Sequence, residues 1–197
     1  VCRDRRTRPR SPRHSGRVAH SYGPTPPIRP AAHSGYVPLR DYAAIGDGRT
    51  VALVARDGSV DWLPVPDLDS PTIFAGILDP NKGGQFTLAP VGTYQTTRRY
   101  LPGTNVLETT YTTAQGKVRV TDALTVPGSA LSPTRELVRR IEGLAGSVPM
   151  RWRVTPRFDY GARTPRLTVR SGISAAIGGA EAVAVCAWDA GEVTRTE

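Results

Sequence analysis

The 197-residue chain is poor in the side chains that most chemistry needs. It has three histidines, His14, His20 and His33, and all lie in the first 35 residues. The body therefore holds no imidazole for a Ser-His nucleophile or a His-Cys metal site. There are two cysteines, Cys2 and Cys186, too few for a disulfide framework and without metal-ligand spacing. Cys186 stands in the apolar run "AVAVCAW" and is expected to be buried there. No apolar stretch approaches the ~18–20 residues of a membrane helix. The N-terminus lacks the apolar core of a secretory signal. No metal or cofactor, no membrane and a cytoplasmic location are the expectations. Lysine is scarce as well: Lys82 and Lys117 stand against 24 arginines, a bias we read as that of a GC-rich genome.

The formal charge of +9 is unevenly placed. Residues 1–35 carry eight Arg, one Asp and six Pro, a net of +7, which leaves +2 for residues 36–197. Such a Pro/Arg segment buries too little apolar surface to offset its ordering entropy and is expected to be disordered. Binding of nucleic acid by this tail through counterion release is a third-ranked reading, since Tyr22 is its one aromatic and base stacking has no platform.

From Tyr36 onward, short runs rich in Val, Thr, Tyr and Arg alternate with Gly, Pro, Asn and Asp. That texture predicts an all-β, antiparallel sandwich. "TVALVA" and "VDWLPV" read as strands joined by an Asp57-Gly58 hairpin turn. "GQFTLAP", "YQTTRRYL", "NVLETTYTT" and "KVRVTDAL" follow as strands, the last with period-two alternation. Residues 135–142 and 148–156 are expected to pair as antiparallel neighbours, and "PRLTVRSG" and "EAVAVCAW" close the series. Trp62, Phe74, Trp152, Phe158, Tyr160 and Trp188 are expected in the core rather than as sugar platforms.

The stretch "LVARDGSVDWLPVPDLDSP" places four carboxylates, Asp57, Asp61, Asp67 and Asp69, within Leu53–Pro71. Glycoside cleavage needs two carboxyls across a scissile bond. Here Asp57 suits its turn and Asp61 a mid-strand position. Asp67, Asp69 and Ser70 suit side-chain bonds to nearby backbone N–H groups. "GDGR" and "LDPNKGG" lack the spacing of phosphate loops and read as turns.

The ordered series "IGDGRTVALV", "DGSVDW", "LDSPTIF", "GGQFTLAP", "TRRYLPGTNVLETTY", "VRVTDAL" and "VRRIEGLAGSVPMRWRVTPRFDYG" resembles the start of bacterial glycoside hydrolase family 15 proteins, glucoamylases and trehalases. Leu68 stands where the family has Phe. The resemblance implies a supersandwich-like N-terminal domain over residues 36–197, incomplete here. It implies as partner an (α/α)6 barrel that supplies both catalytic glutamates and lies outside these 197 residues. None of the chain's glutamates matches a catalytic motif, so no catalytic residue is carried over; Glu108 is placed on a strand and Glu142 in a turn. The resemblance also implies that Trp62, Asp67, Asp69 and Ser70 form a loop facing the barrel's active site. A fragment completed by a second chain into an active α-glucoside hydrolase is the alternative.

Overall fold

The computed structural model describes residues 35–126, 135–170 and 173–190. The Arg/Pro-rich segment, all but Gly35, lies outside them. The strands in chain order are β1 (Tyr42–Gly46), β2 (Val51–Ala55), β3 (Ser59–Pro64), β4 (Thr72–Phe74), β5 (Gln85–Pro90), β6 (Gln95–Tyr100) and β7 (Leu107–Thr112). They continue as β8 (Gly116–Leu124), β9 (Leu137–Gly146), β10 (Met150–Thr155), β11 (Arg166–Arg170), β12 (Ile173–Gly178) and β13 (Glu181–Val185). Helical geometry among the described residues is limited to 3-10 turns at Leu39–Asp41 and Asp159–Gly161. No helix there is long and apolar enough to cross a membrane.

All pairing is antiparallel. The first sheet runs β1-β2-β3-β5-β10, with β4 on β3; the second runs β6-β7-β8-β9; a third runs β11-β12-β13. The first two stack face to face. Val118, Val120 and Leu124 of β8 and Leu107 and Tyr111 of β7 point inward, where Ile45, Val54, Val60 and Leu88 of the first sheet meet them. The third sheet joins the same core through Ala176 and Val183, which pack near the buried Phe158.

Polar groups tie the two sheets as well as apolar ones. Arg98 of β6 donates to the carbonyls of Val54 (3.0 Å) and Asp41 (2.8 Å). Tyr100 donates to the carbonyl of Ala44 at 2.8 Å. Arg139 of β9 forks onto Asp122 of β8 (2.9 and 3.2 Å), donates to the Phe86 carbonyl at 3.1 Å and lies 4.8 Å above the Phe86 ring. Both charged side chains are almost fully enclosed, 2% and 1% exposed.

Four expectations are corrected. Residues 135–142 and 148–156 do not pair with each other. β9 pairs β8 in the second sheet, and β10 pairs β5 in the first, with Trp152 opposite Leu88. Gly146–Pro149 is thus a connection between layers, not a hairpin turn. Glu142 lies on a strand, opposite Arg119, rather than in a turn. Cys186 is exposed, because it follows β13, an edge strand of the third sheet. Of the aromatics expected in the core, Trp188 and Tyr160 are also outside it, at 82% and 47% exposure.

Candidate functional site

The stretch singled out in the sequence is built on the β2–β3 hairpin. Asp57 closes the turn: its carboxylate accepts the Ser59 N–H at 3.0 Å and the Ser59 hydroxyl at 2.8 Å. Gly58 adopts φ 88°, the left-handed region that a glycine enters without penalty. Its Cα faces the Leu88 carbonyl so closely that an added Cβ would sit 2.1 Å from that oxygen. Beyond the turn, Val60 pairs Val54 and Trp62 pairs Leu53, so Asp61 is an extra residue in the ladder. Such a bulge re-aims the side chains that follow. Val60 and Leu63, three apart rather than two, both enter the core as a result.

Asp61 is buried; its carboxylate accepts the Tyr42 hydroxyl at 2.7 Å and lies 2.9 Å from the Ser59 hydroxyl, whose one proton it shares with Asp57. Its carbonyl, freed by the bulge, takes the Ile77 N–H at 3.1 Å. Burial, and then the bond to Asp61, push the Tyr42 hydroxyl far above the usual tyrosine range, so it remains a donor. Asp57, Asp61 and Tyr42 border a cavity of about 20 Å³. That volume suits one water and is far below that of a sugar ring.

The Pro-rich loop that follows is a closed turn. The Asp67 N–H donates to the Ser70 hydroxyl at 3.1 Å, and the Ser70 N–H donates to the Asp67 carbonyl at 3.1 Å. The Val65–Pro66 peptide is cis. Ser70 therefore makes the backbone contact expected of it, while the Asp67 side chain does not. Asp67 instead accepts Arg49, at 2.8 Å from Nε and 2.6 Å from Nη2. Asp69 and Leu68 point outward, exposed. Trp62 is half-buried, and its ring meets that of Tyr160 with centroids 6.1 Å apart. Tyr160 is held at φ 56°, an uncommon conformation for an aromatic residue.

The residues that position this loop come from the "GDGR" turn and from beyond it. The Asp47 carboxylate accepts the N–H groups of Arg49 and Thr50, each at 2.9 Å. Thr50 in turn donates its hydroxyl to the Pro64 carbonyl. Arg135, two residues ahead of β9, stands 3.6 Å from Asp47 and donates to the Pro66 carbonyl at 3.2 Å. Burial raises the Asp47 carboxyl, but the two N–H bonds and Arg135 outweigh it and hold the group below its ordinary value of 3.8. The Asp-x-x-Thr spacing of "DGRT" was a legible sign of this side-chain-capped turn. The Arg135 contact, 88 positions away, had no local sign.

The described carboxylates of the sandwich thus largely answer to backbone N–H groups or arginines. Glu108 follows the pattern, 2.6 Å from Arg99 and 3.6 Å from Arg119. Among the described residues, no three His, Cys, Asp or Glu side chains gather as metal ligands. What the surface offers is a braced loop that holds Asp69 outward and pairs Asp67 with Arg49.

The family model for the trehalase-like N-terminal domain matches residues 34–189. A trehalase of Mycolicibacterium smegmatis is 35% identical over 147 residues, covering 66% of this chain and 22% of the relative. A trehalase of Mycobacterium tuberculosis is 37% identical over 142 residues, covering 64% and 21%. Trehalase 1 of Sulfolobus acidocaldarius is 34% identical over 128 residues, covering 64% and 21%. The chain spans about a fifth of the length of the curated relatives it matches. No solved structure matches it. The match across both sandwich sheets and into the third shows that the chain belongs to the trehalase-like N-terminal domain family.

Proposed function

We propose that residues 36–197 act as the non-catalytic N-terminal β-sandwich of a glycoside hydrolase family 15 enzyme. In this reading the enzyme is a cytoplasmic trehalase or glucoamylase of an actinobacterium. The sandwich packs against an (α/α)6 barrel that carries the catalytic glutamates. The observation that carries the reading is the match to trehalases over a segment that makes up about a fifth of each. The geometry supports it. The best-enclosed carboxylates, Asp47, Asp61 and Asp122, are committed to side-chain and backbone donors, and the cavity beside Asp61 admits no sugar.

The braced loop, with Trp62, Asp67, Asp69 and Ser70, is the part we assign to the barrel's active-site mouth. Its support is that Asp69 faces outward on a loop anchored by Arg49, Asp47 and Arg135. The test has two arms. The 197-residue chain is incubated with trehalose, maltose and starch, alone and with the separately produced barrel segment of the mycobacterial relative. No turnover alone and raised turnover on mixing are expected. Turnover by the purified chain above a buffer control would overturn the non-catalytic reading. In an intact relative, replacing the aspartates that match Asp67 and Asp69 by Ala is expected to raise KM for trehalose. Unchanged kcat/KM there removes the loop from the site.

A further inference from the structure

Strand β9 ends the second sheet with β8 on one side and no strand of the described residues on the other. The opposite edge strand, β6, is tied down by the Arg98 and Tyr100 bonds to the first sheet. β9 is tied to the first sheet at Arg139, through the Phe86 carbonyl, but beyond it, from Arg140 to Ser147, every residue is exposed. Ile141 makes the gap plain. It lies directly opposite Val120, and cross-strand partners share a face. Val120 is 0% exposed and Ile141 is 45% exposed. An inner-face position of the sandwich is thus left open at its rim.

The orientation of the free backbone follows from one bond. The Thr125 N–H donates to the Glu136 carbonyl at 3.0 Å, so the polar groups of Glu136 turn toward β8. In an antiparallel ladder they alternate. Val138, Arg140 and Glu142 therefore face β8, and Leu137, Arg139, Ile141 and Gly143 present N–H and C=O to the open edge. An open row of this kind is a template for another strand.

The sequence of the edge selects the strand. Placed antiparallel against itself about Ile141, "VRRIEGL" (Val138–Leu144) is self-complementary. Ile141 meets Ile141 as a hydrogen-bonded pair on the inner face. Arg139 meets Gly143, where a side chain finds open space. On the outer face Arg140 meets Glu142 twice, with opposite charge, and Val138 meets Leu144, all four exposed in the single chain. Arg119 already stands 3.4 Å from Glu142, so each carboxylate would sit between two guanidinium groups. A two-fold interface requires that a patch match itself, and this one does.

We propose that β9 is a homodimer interface, joining two copies of this chain into one continuous sheet with four strands from each. The proposal is independent of the role assigned to the loop and of any activity. Light scattering on the purified 197-residue chain tests it. A concentration-dependent mass reaching twice the 21.2 kDa of one chain is expected. Ile141→Glu, which sets two carboxylates on the axis, is expected to return the single mass. Arg140→Glu and Glu142→Arg are each expected to be monomeric alone, and an equimolar mixture is expected to regain the doubled mass. These positions are exposed, so far-ultraviolet circular dichroism of the variants should match the parent. In hydrogen exchange, the amides of Leu137, Arg139 and Ile141 should gain protection as concentration rises. A parent chain that stays single, or a doubled mass that survives Ile141→Glu and Arg140→Glu, overturns the proposal. So does a mixture of the two charge variants that fails to associate.

Discussion

Arg139 and Asp122 show how much a single side chain decides in this sandwich. The pair is enclosed, and the guanidinium also serves the Phe86 carbonyl of the facing sheet. Removing one member of such a pair leaves a buried charge without compensation, at about 3–5 kcal/mol. Arg139→Ala and Asp122→Asn are each expected to lower stability by about that amount, read as a shift of the urea midpoint. The double change Asp122→Leu/Arg139→Met should recover most of the loss, because no charge is then stranded. Additive losses in the double variant would contradict this account. Asp47 adds a pH dependence whose sign is fixed. Its folded pKa lies below its ordinary value, so its contribution is complete above that value. It is lost as pH falls through the folded pKa. Asp47→Asn should therefore flatten the acid limb of a Tm-against-pH curve while lowering Tm near neutrality. An unchanged acid limb would show that the carboxyl is not perturbed.

Among the elements, the β2–β3 hairpin was the most legible. Asp-Gly between two apolar runs has a local cause, since the turn demands a positive φ that Gly58 supplies. Gly58→Ala combines that φ with a Cβ pressed on the Leu88 carbonyl, and also on the Tyr111 hydroxyl at 2.6 Å. It is expected to cost more than about 1 kcal/mol, with an unchanged denaturant slope. A neutral outcome would mean that the turn relaxes freely. The β9–β10 connection misled for an equally physical reason. "GSVP" has turn chemistry, and turn chemistry says where a chain reverses but not which layer it enters next. The layer was chosen by long-range contacts: Asp122 draws Arg139 into the second sheet, while Trp152 lines up with Leu88 in the first. The bulge at Asp61 was hidden likewise, since it shows itself only when Val60 and Leu63 both turn inward.

At the scale of the molecule, the all-β architecture was legible from strand texture and turn spacing, because both are local properties. The braces of the loop were legible only in part. Asp47 and Thr50 announce their turn, whereas Arg135 looks like any of the 24 arginines until the fold brings it beside Asp47. Inward arginines such as Arg98 and Arg139 were invisible for the same reason. The three sheets also differ in how firmly they are held. The third has Ala176 in the core, but Leu167, Val169 and Ile173 remain exposed. Few buried apolar contacts mean a low free energy of local opening. Native-state hydrogen exchange should show β11–β13 opening well before β7 and β8. Equal protection across all three sheets would contradict that order.

The tryptophans give this layered stability an optical signature. Trp62 leans on Tyr160 at the hairpin, Trp152 lies half-buried on the rim strand of the first sheet, and Trp188 stands in solvent after β13. The emission of the chain is therefore a composite of three environments. Iodide should quench the Trp188 component first, and the remaining shielded signal would follow the sandwich alone. The three indoles thus report separately on the hairpin, the β10 edge of the first sheet and the outer sheet.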